Sequence, residues 1–260
     1  MRIPIYQIDA FANKQFEGNP AAVCCLEEWV EDDLMQKIAK ENNLSETAFF
    51  VKKGDIYELR WFTPEKEIDL CGHATLATAY VVFTYLDKNI KKISFKTKSG
   101  VLEVFKENDL LSMIFPSRKG DKCKVPNELI KGLGREPKEV YKSRDYMAVF
   151  ETEEEIKNLN LNMEELKKLD SFGVIVTAKG KKVDFVSRYF APKAGVDEDP
   201  VTGSAHCTLV PYWTEVLKKD EFVAYQMSDR GGVIFCKDLG DKIKISGKAV
   251  LYLEGYVKIE

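Results

Sequence analysis

Leu59-Arg60-Trp61-Phe62-Thr63-Pro64, which runs through Asp69-Leu70-Cys71-Gly72-His73-Ala74-Thr75 into an apolar stretch ending near Leu86, is written twice in this chain. The second copy is Ser187-Arg188-Tyr189-Phe190-Ala191-Pro192, followed by Asp199-Pro200-Val201-Thr202-Gly203-Ser204-Ala205. Arg60 aligns with Arg188 at an offset of 128 (188 − 60), and Gly72 with Gly203 at 131 (203 − 72). Upstream, residues 45–54 match residues 171–180 at an offset of 126 (171 − 45). The chain therefore reads as a duplication, with halves at residues 1–118 and 119–260 and a last strand that is free to cross back to the first half.

Each copy has the same local logic. An apolar strand (residues 57–62, residues 184–190) enters a Pro-containing loop and then a Gly-led segment. In the first copy Ala74, Leu76, Ala77, Ala79, Tyr80, Val81, Val82, Phe83 and Leu86 leave almost no polar face, which predicts a buried helix. In the second copy Pro211 predicts a kink or break, because proline removes an N–H and crowds the preceding turn. Elsewhere, residues 3–10, 21–26, 45–51, 93–105 and 109–115 read as strands and residues 31–42 as an amphipathic helix. Lys-, Gly- and Pro-rich residues 116–137 read as the connection between halves.

Composition excludes some functions. A net charge of −3, with acids and bases interspersed, supplies no field for nucleic acid or an anionic membrane. The longest apolar run is too short and too Thr-rich to span a bilayer. Six cysteines without CxxC spacing, and no export signal, point to reduced thiols and a cytoplasmic location. Only two histidines are present, so no metal site is expected.

Chemistry concentrates at the two Gly-led starts, Cys71-Gly72-His73 and Thr202-Gly203-Ser204. Unpaired N–H groups at a helix start attract anions, and glycine lets a ligand approach the main chain. A small carboxylate-bearing substrate is the implied partner. His73, in the first turn of a buried helix where positive charge is disfavoured, is expected neutral. His206 is expected to pack or cap. Glu46 stands out because its partner in the second copy is Phe172: a charge at one of two equivalent, otherwise apolar strand starts is hard to assign to folding. Cys71 has Thr202 as its counterpart, so a mechanism with two thiols lacks its second base.

Asp9-Ala10-Phe11 with Gly18-Asn19-Pro20-Ala21-Ala22-Val23, Leu44-Ser45-Glu46-Thr47-Ala48-Phe49, the Arg60–Thr75 motif and Asp199–Ala205 together resemble the phenazine-biosynthesis PhzF-like family, in the family's order over most of the chain. The resemblance implies an α+β, internally duplicated diaminopimelate epimerase-like fold. Its two pseudo-symmetric halves are each a curved, barrel-like sheet around a central helix, with the site between them and commonly a homodimer. It implies Glu46 as acid/base, His73 and Asp199 as catalytic partners that orient the substrate, and Gly72, Gly203, Ser204, Asn19 and Thr202 as substrate-binding positions. The expected activity is a cofactor-free isomerisation that moves a proton. An amino-acid racemase or epimerase, or a non-catalytic binding protein on the same scaffold, are the alternatives. Substrate specificity is expected in residues 13–20 and 226–232.

Overall fold

The computed structural model describes all 260 residues. The chain forms two compact units, Met1–Ile114 together with Ser246–Glu260, and Phe115–Ile245. No helix is long and apolar enough to cross a membrane.

In the first unit, strand Arg2–Ala10 pairs antiparallel with Ala249–Lys258 on one side and with Asn19–Leu26 on the other. Asn19–Leu26 runs parallel to Glu46–Lys53, and Glu46–Lys53 antiparallel to Ile56–Phe62. Ile56–Phe62 is parallel to Lys92–Thr97, which pairs antiparallel with Gly100–Glu107. The second unit repeats that series of directions. Glu139–Lys142 is antiparallel to Tyr146–Val149, then parallel to Val174–Lys179, antiparallel to Phe185–Phe190, parallel to Glu221–Gln226 and antiparallel to Gly232–Asp238. An alternation this specific does not arise twice by chance, so the duplication read from the sequence is a duplication of topology.

Each unit's sheet wraps one helix. Helix Gly72–Val81 buries every residue except Gly72 and Tyr80, as its largely apolar composition requires, and a π turn, Val82–Leu86, continues it. In the second unit a 3₁₀ turn, Gly203–Ala205, leads into helix His206–Leu217. Pro211 does not break this helix. The carbonyl it leaves without an intrahelical donor is that of Cys207, and the Arg118 N–H bonds to it at 2.8 Å, so the break expected from proline is compensated by another segment of the same unit.

The arginines of the duplicated motif act alike. Arg60 donates from Nε and Nη2 to Glu67 at 2.7 and 2.9 Å, and Arg188 does the same to Glu198 at 2.8 and 2.8 Å. Each guanidinium also lies over the phenylalanine two residues on, Phe62 at 5.2 Å and Phe190 at 5.0 Å. The repeated Arg-x-Phe is thus a clamp that closes the Pro-containing loop against its strand.

The connection is more structured than its composition implies. Helix Asn127–Leu133 buries Leu129 and Leu133 one turn apart and ends on Gly134 in the left-handed region, φ +68°. The short helix Glu153–Lys157 is set by a capping box between Thr152 and Glu155.

Candidate active site

The first unit assembles its candidate residues from three elements. Glu46 opens strand Glu46–Lys53, directly beside Ala21 of the parallel strand Asn19–Leu26, and Asn19 opens that strand fully buried. Gly18, at φ +67°, delivers Asn19: a Cβ there would stand 2.1 Å from the Ala10 carbonyl oxygen, so no other residue fits the turn. Cys71, in extended backbone, precedes helix Gly72–Val81 and puts Gly72 and His73 in its first turn.

His73 links these elements. Its Nδ1 is 3.3 Å from the Asn19 amide nitrogen and 3.5 Å from Cys71 Sγ, and its Nε2 is 3.1 Å from Glu46 Oε2. The Glu46 contact has the distance of an ion pair without the alignment of a hydrogen bond: neither Nε2 nor Oε2 completes a directed bond within the protein. Both atoms therefore keep hydrogen-bonding capacity in a nearly dry setting, with side-chain exposures of 7% for His73 and 16% for Glu46.

Electrostatics corrects the expectation of a neutral imidazole. Burial opposes the imidazolium, but the charges of Cys71 and Glu46 outweigh it and hold the His73 pKa well above its ordinary value. Burial and the Glu46 charge push the Cys71 thiol up to about 11.

Ligand atoms of Glu46, Cys71 and His73 lie within 4.8 Å of one another. Sulfur and carboxylate, however, approach different nitrogens of one imidazole. In the arrangement seen here the three groups form a chain bridged by the two nitrogens of His73.

The second unit holds the other candidates. Thr202 donates through Oγ1 to Asp199 Oδ2 at 2.5 Å, and its N–H donates to Gln226 Oε1 at 2.8 Å. Gln226 Nε2 donates to the Asp199 carbonyl at 2.7 Å, which ties the Asp199–Thr202 loop to strand Glu221–Gln226. Gly203 and Ser204 open the 3₁₀ turn. His206 packs, as expected: it is fully buried, 3.0 Å from the Thr202 carbonyl, and burial pulls its pKa down to about 4, so it is neutral.

Two features escape a sequence reading. Gln226, expected in a specificity loop, is instead fully buried and serves as the loop's internal clamp. Arg144 and Asp145 lie beside Ser204 and Tyr189, with Arg144 Nη2 3.4 Å from Ser204 Oγ. Their only sequence signal is an acid next to an apolar strand start, which is also an ordinary turn.

Comparison with known proteins places this geometry. Residues 8–255 match the PhzC-PhzF family model, described as phenazine biosynthesis-like protein. The chain belongs to that family. It is 49% identical over 255 residues to a Pseudomonas aeruginosa protein named an uncharacterized isomerase, covering 98% of each chain. It superimposes on the crystal structure of a PhzF-family phenazine biosynthesis protein from Enterococcus faecalis with a TM-score of 0.98 and 46% identity over the whole of both chains. A predicted epimerase of Pseudomonas aeruginosa, 18% identical, shares the fold with a TM-score of 0.76, covering 99% of this chain and 100% of its own. The PhzF-family fold here is the α+β, diaminopimelate epimerase-like type, and some of the chain's relatives are named uncharacterized isomerases, others phenazine biosynthesis-like domain-containing proteins.

Proposed function

We propose that the protein is a cofactor-independent isomerase that moves a proton on a small carboxylate-bearing substrate, with Glu46 as its single acid/base. The observation that carries this reading is the position of Glu46. It is a part-buried carboxylate that opens strand Glu46–Lys53, and its Oε2 has no directed hydrogen bond of its own. Glu46 takes a proton from a carbon made acidic by conjugation and returns it to a different position on the substrate, so no redox cofactor enters. His73 keeps the carboxylate in place and directs Nε2 to polar groups of the substrate. The Gly203–Ser204 turn of the second unit is assigned the substrate's carboxylate, and Asp199, braced by Thr202, the substrate's other polar groups. In this reading the protein works as a cytoplasmic homodimer.

The test is solvent exchange. In D₂O, NMR of small carboxylic acids and amino acids with the wild-type protein gives enzyme-dependent deuterium incorporation for the substrate class. Glu46→Gln lowers that exchange by about 10²- to 10⁴-fold, the usual range for general acid/base catalysis, while ligand affinity is kept. Unchanged exchange in Glu46→Gln sinks the reading.

One observation favours a second reading, a racemase or epimerase: the Cys71 sulfur shares His73 with Glu46. It requires exchange at an α-carbon that Cys71→Ser abolishes, and full activity of Cys71→Ser excludes it.

A further inference from the structure

Arg144 stands in a tight turn before strand Tyr146–Val149, closed by the Ser143 N–H bonding to the Asp145 carbonyl at 3.1 Å. Its guanidinium is fixed from two directions. Phe172 lies beneath it at 4.7 Å, and its Nε–Nη2 edge is engaged by the Asp145 carboxylate, with Nη2 to Oδ2 at 2.8 Å. Asp145 is only 2% exposed and is itself held, its Oδ1 accepting the Gly173 N–H at 3.1 Å and the Tyr189 hydroxyl at 3.4 Å. A guanidinium has two forked edges, and Asp145 takes one. On the other, Nη1 has no partner in the protein, and Nη2 makes only long contacts of 3.4 Å to Tyr189 and Ser204.

The pseudo-symmetry gives this edge a meaning. In the first unit a side chain at the entry to strand Asn19–Leu26 reaches the residue after the helix-start glycine, Asn19 to His73. In the second unit the entry to the equivalent strand, Tyr146–Val149, sends Arg144 to the residue after Gly203, which is Ser204. The frame is shared, but here the polar amide is replaced by a cation with a planar, two-pronged donor edge.

We propose that Arg144 is a substrate-anchoring and specificity residue, whose free Nη1–Nη2 edge beside Ser204 grips a carboxylate attached to a flat, unsaturated carbon frame. Asp145 sets the orientation of the fork. A carboxylate coplanar with the guanidinium leaves the adjoining carbons alongside the Phe172 ring, which is 53% exposed and open to a planar apolar group. Phe172, just before strand Val174–Lys179, then has a task of its own, reading the carbon frame. The proposal rests on assigning the substrate carboxylate to the Gly203–Ser204 turn.

The test uses benzoate, cyclohexanecarboxylate and benzamide as probes, titrated into the full-length protein and followed by NMR. Wild type is expected to bind benzoate better than cyclohexanecarboxylate, and benzamide not at all. Arg144→Met weakens benzoate by roughly tenfold or more, the scale of one lost charged hydrogen bond. Arg144→Lys recovers only part of it, because an ammonium has no fork. Phe172→Ser removes the preference for benzoate over cyclohexanecarboxylate with little effect on either melting temperature or charge selectivity. Benzoate bound equally by wild type and by folded Arg144→Lys overturns the proposal, as does a wild type that binds neither acid. The two readings fail separately: normal exchange in Glu46→Gln with weakened benzoate in Arg144→Lys removes the acid/base assignment and leaves the anchor, and the reverse pattern does the opposite.

Discussion

His73 Nε2 sits 3.1 Å from Glu46 Oε2, and neither atom is satisfied by a directed hydrogen bond. Two unequal groups are thereby held together at the start of a buried helix, each with capacity left for a third. The same imidazole meets Cys71 and Asn19 through Nδ1, so a single ring organises the candidate residues of the first unit.

The raised pKa of His73 makes stability pH-dependent with a definite sign. The imidazolium is favoured in the folded state, so its contribution is fully present below the unfolded pKa of ~6.5 and is lost as pH rises through the higher folded value. The wild-type melting temperature, minus that of His73→Asn at each pH, should therefore fall across the window above ~6.5. A difference that rises with pH would show that burial, rather than Glu46, governs the ring.

Every cysteine has its pKa shifted upward, chiefly by burial, Cys71 and Cys207 to about 11 and Cys24 to about 12, and all six are free thiols. Thiolate is the reacting species, so the native protein should react slowly with a disulfide reagent at pH 8. The half-buried Cys25 and Cys123 should react first, and unfolding in guanidinium should release all six. Fast native labelling at Cys71, mapped by mass spectrometry, would instead mark an activated thiol and favour the epimerase reading.

Gly18→Ala should be costly out of proportion to one methyl group. The positive φ and the Ala10 carbonyl 2.1 Å from the new Cβ force the backbone to move, so a loss of more than ~1 kcal/mol is expected in denaturant titrations. Because Asn19 follows directly, proton exchange should fall as well, even under conditions where the variant is fully folded.

Arg188→Met breaks the two-pronged bond to Glu198 and a bond from Nη1 to the Ile156 carbonyl at 2.9 Å. Loss of hydrogen bonds to a charged group predicts about 1.5–3 kcal/mol of destabilisation. Arg188→Lys should recover little, since a single ammonium cannot span both carboxylate oxygens. Full rescue by lysine would reduce the clamp to simple charge proximity.

The duplication was legible in the sequence because it is carried by local chemistry. Arg-x-Phe, the Pro loop and the Gly-led helix start have fixed spacing, and apolar periodicity follows from which faces are buried. Glu46 was singled out on an alignment with Phe172 that the strand register shifts by one: Thr47 lies opposite Phe62 as Val174 lies opposite Phe190, so Glu46 corresponds to Gly173. Tertiary structure alone decided which side chains meet. Asn19 reaches His73 across 54 positions and Arg144 reaches Ser204 across 60, distances over which no sequence spacing carries information. It also reversed three local expectations: Arg118 satisfies the carbonyl that Pro211 leaves open, Gln226 is drawn into the interior, and Cys71 and Glu46 raise the His73 pKa against its burial. Local sequence set the frame because backbone and burial preferences act over a few residues. The site needed the fold, because charge and hydrogen bonding act between whichever groups the packed chain brings within 3 to 4 Å.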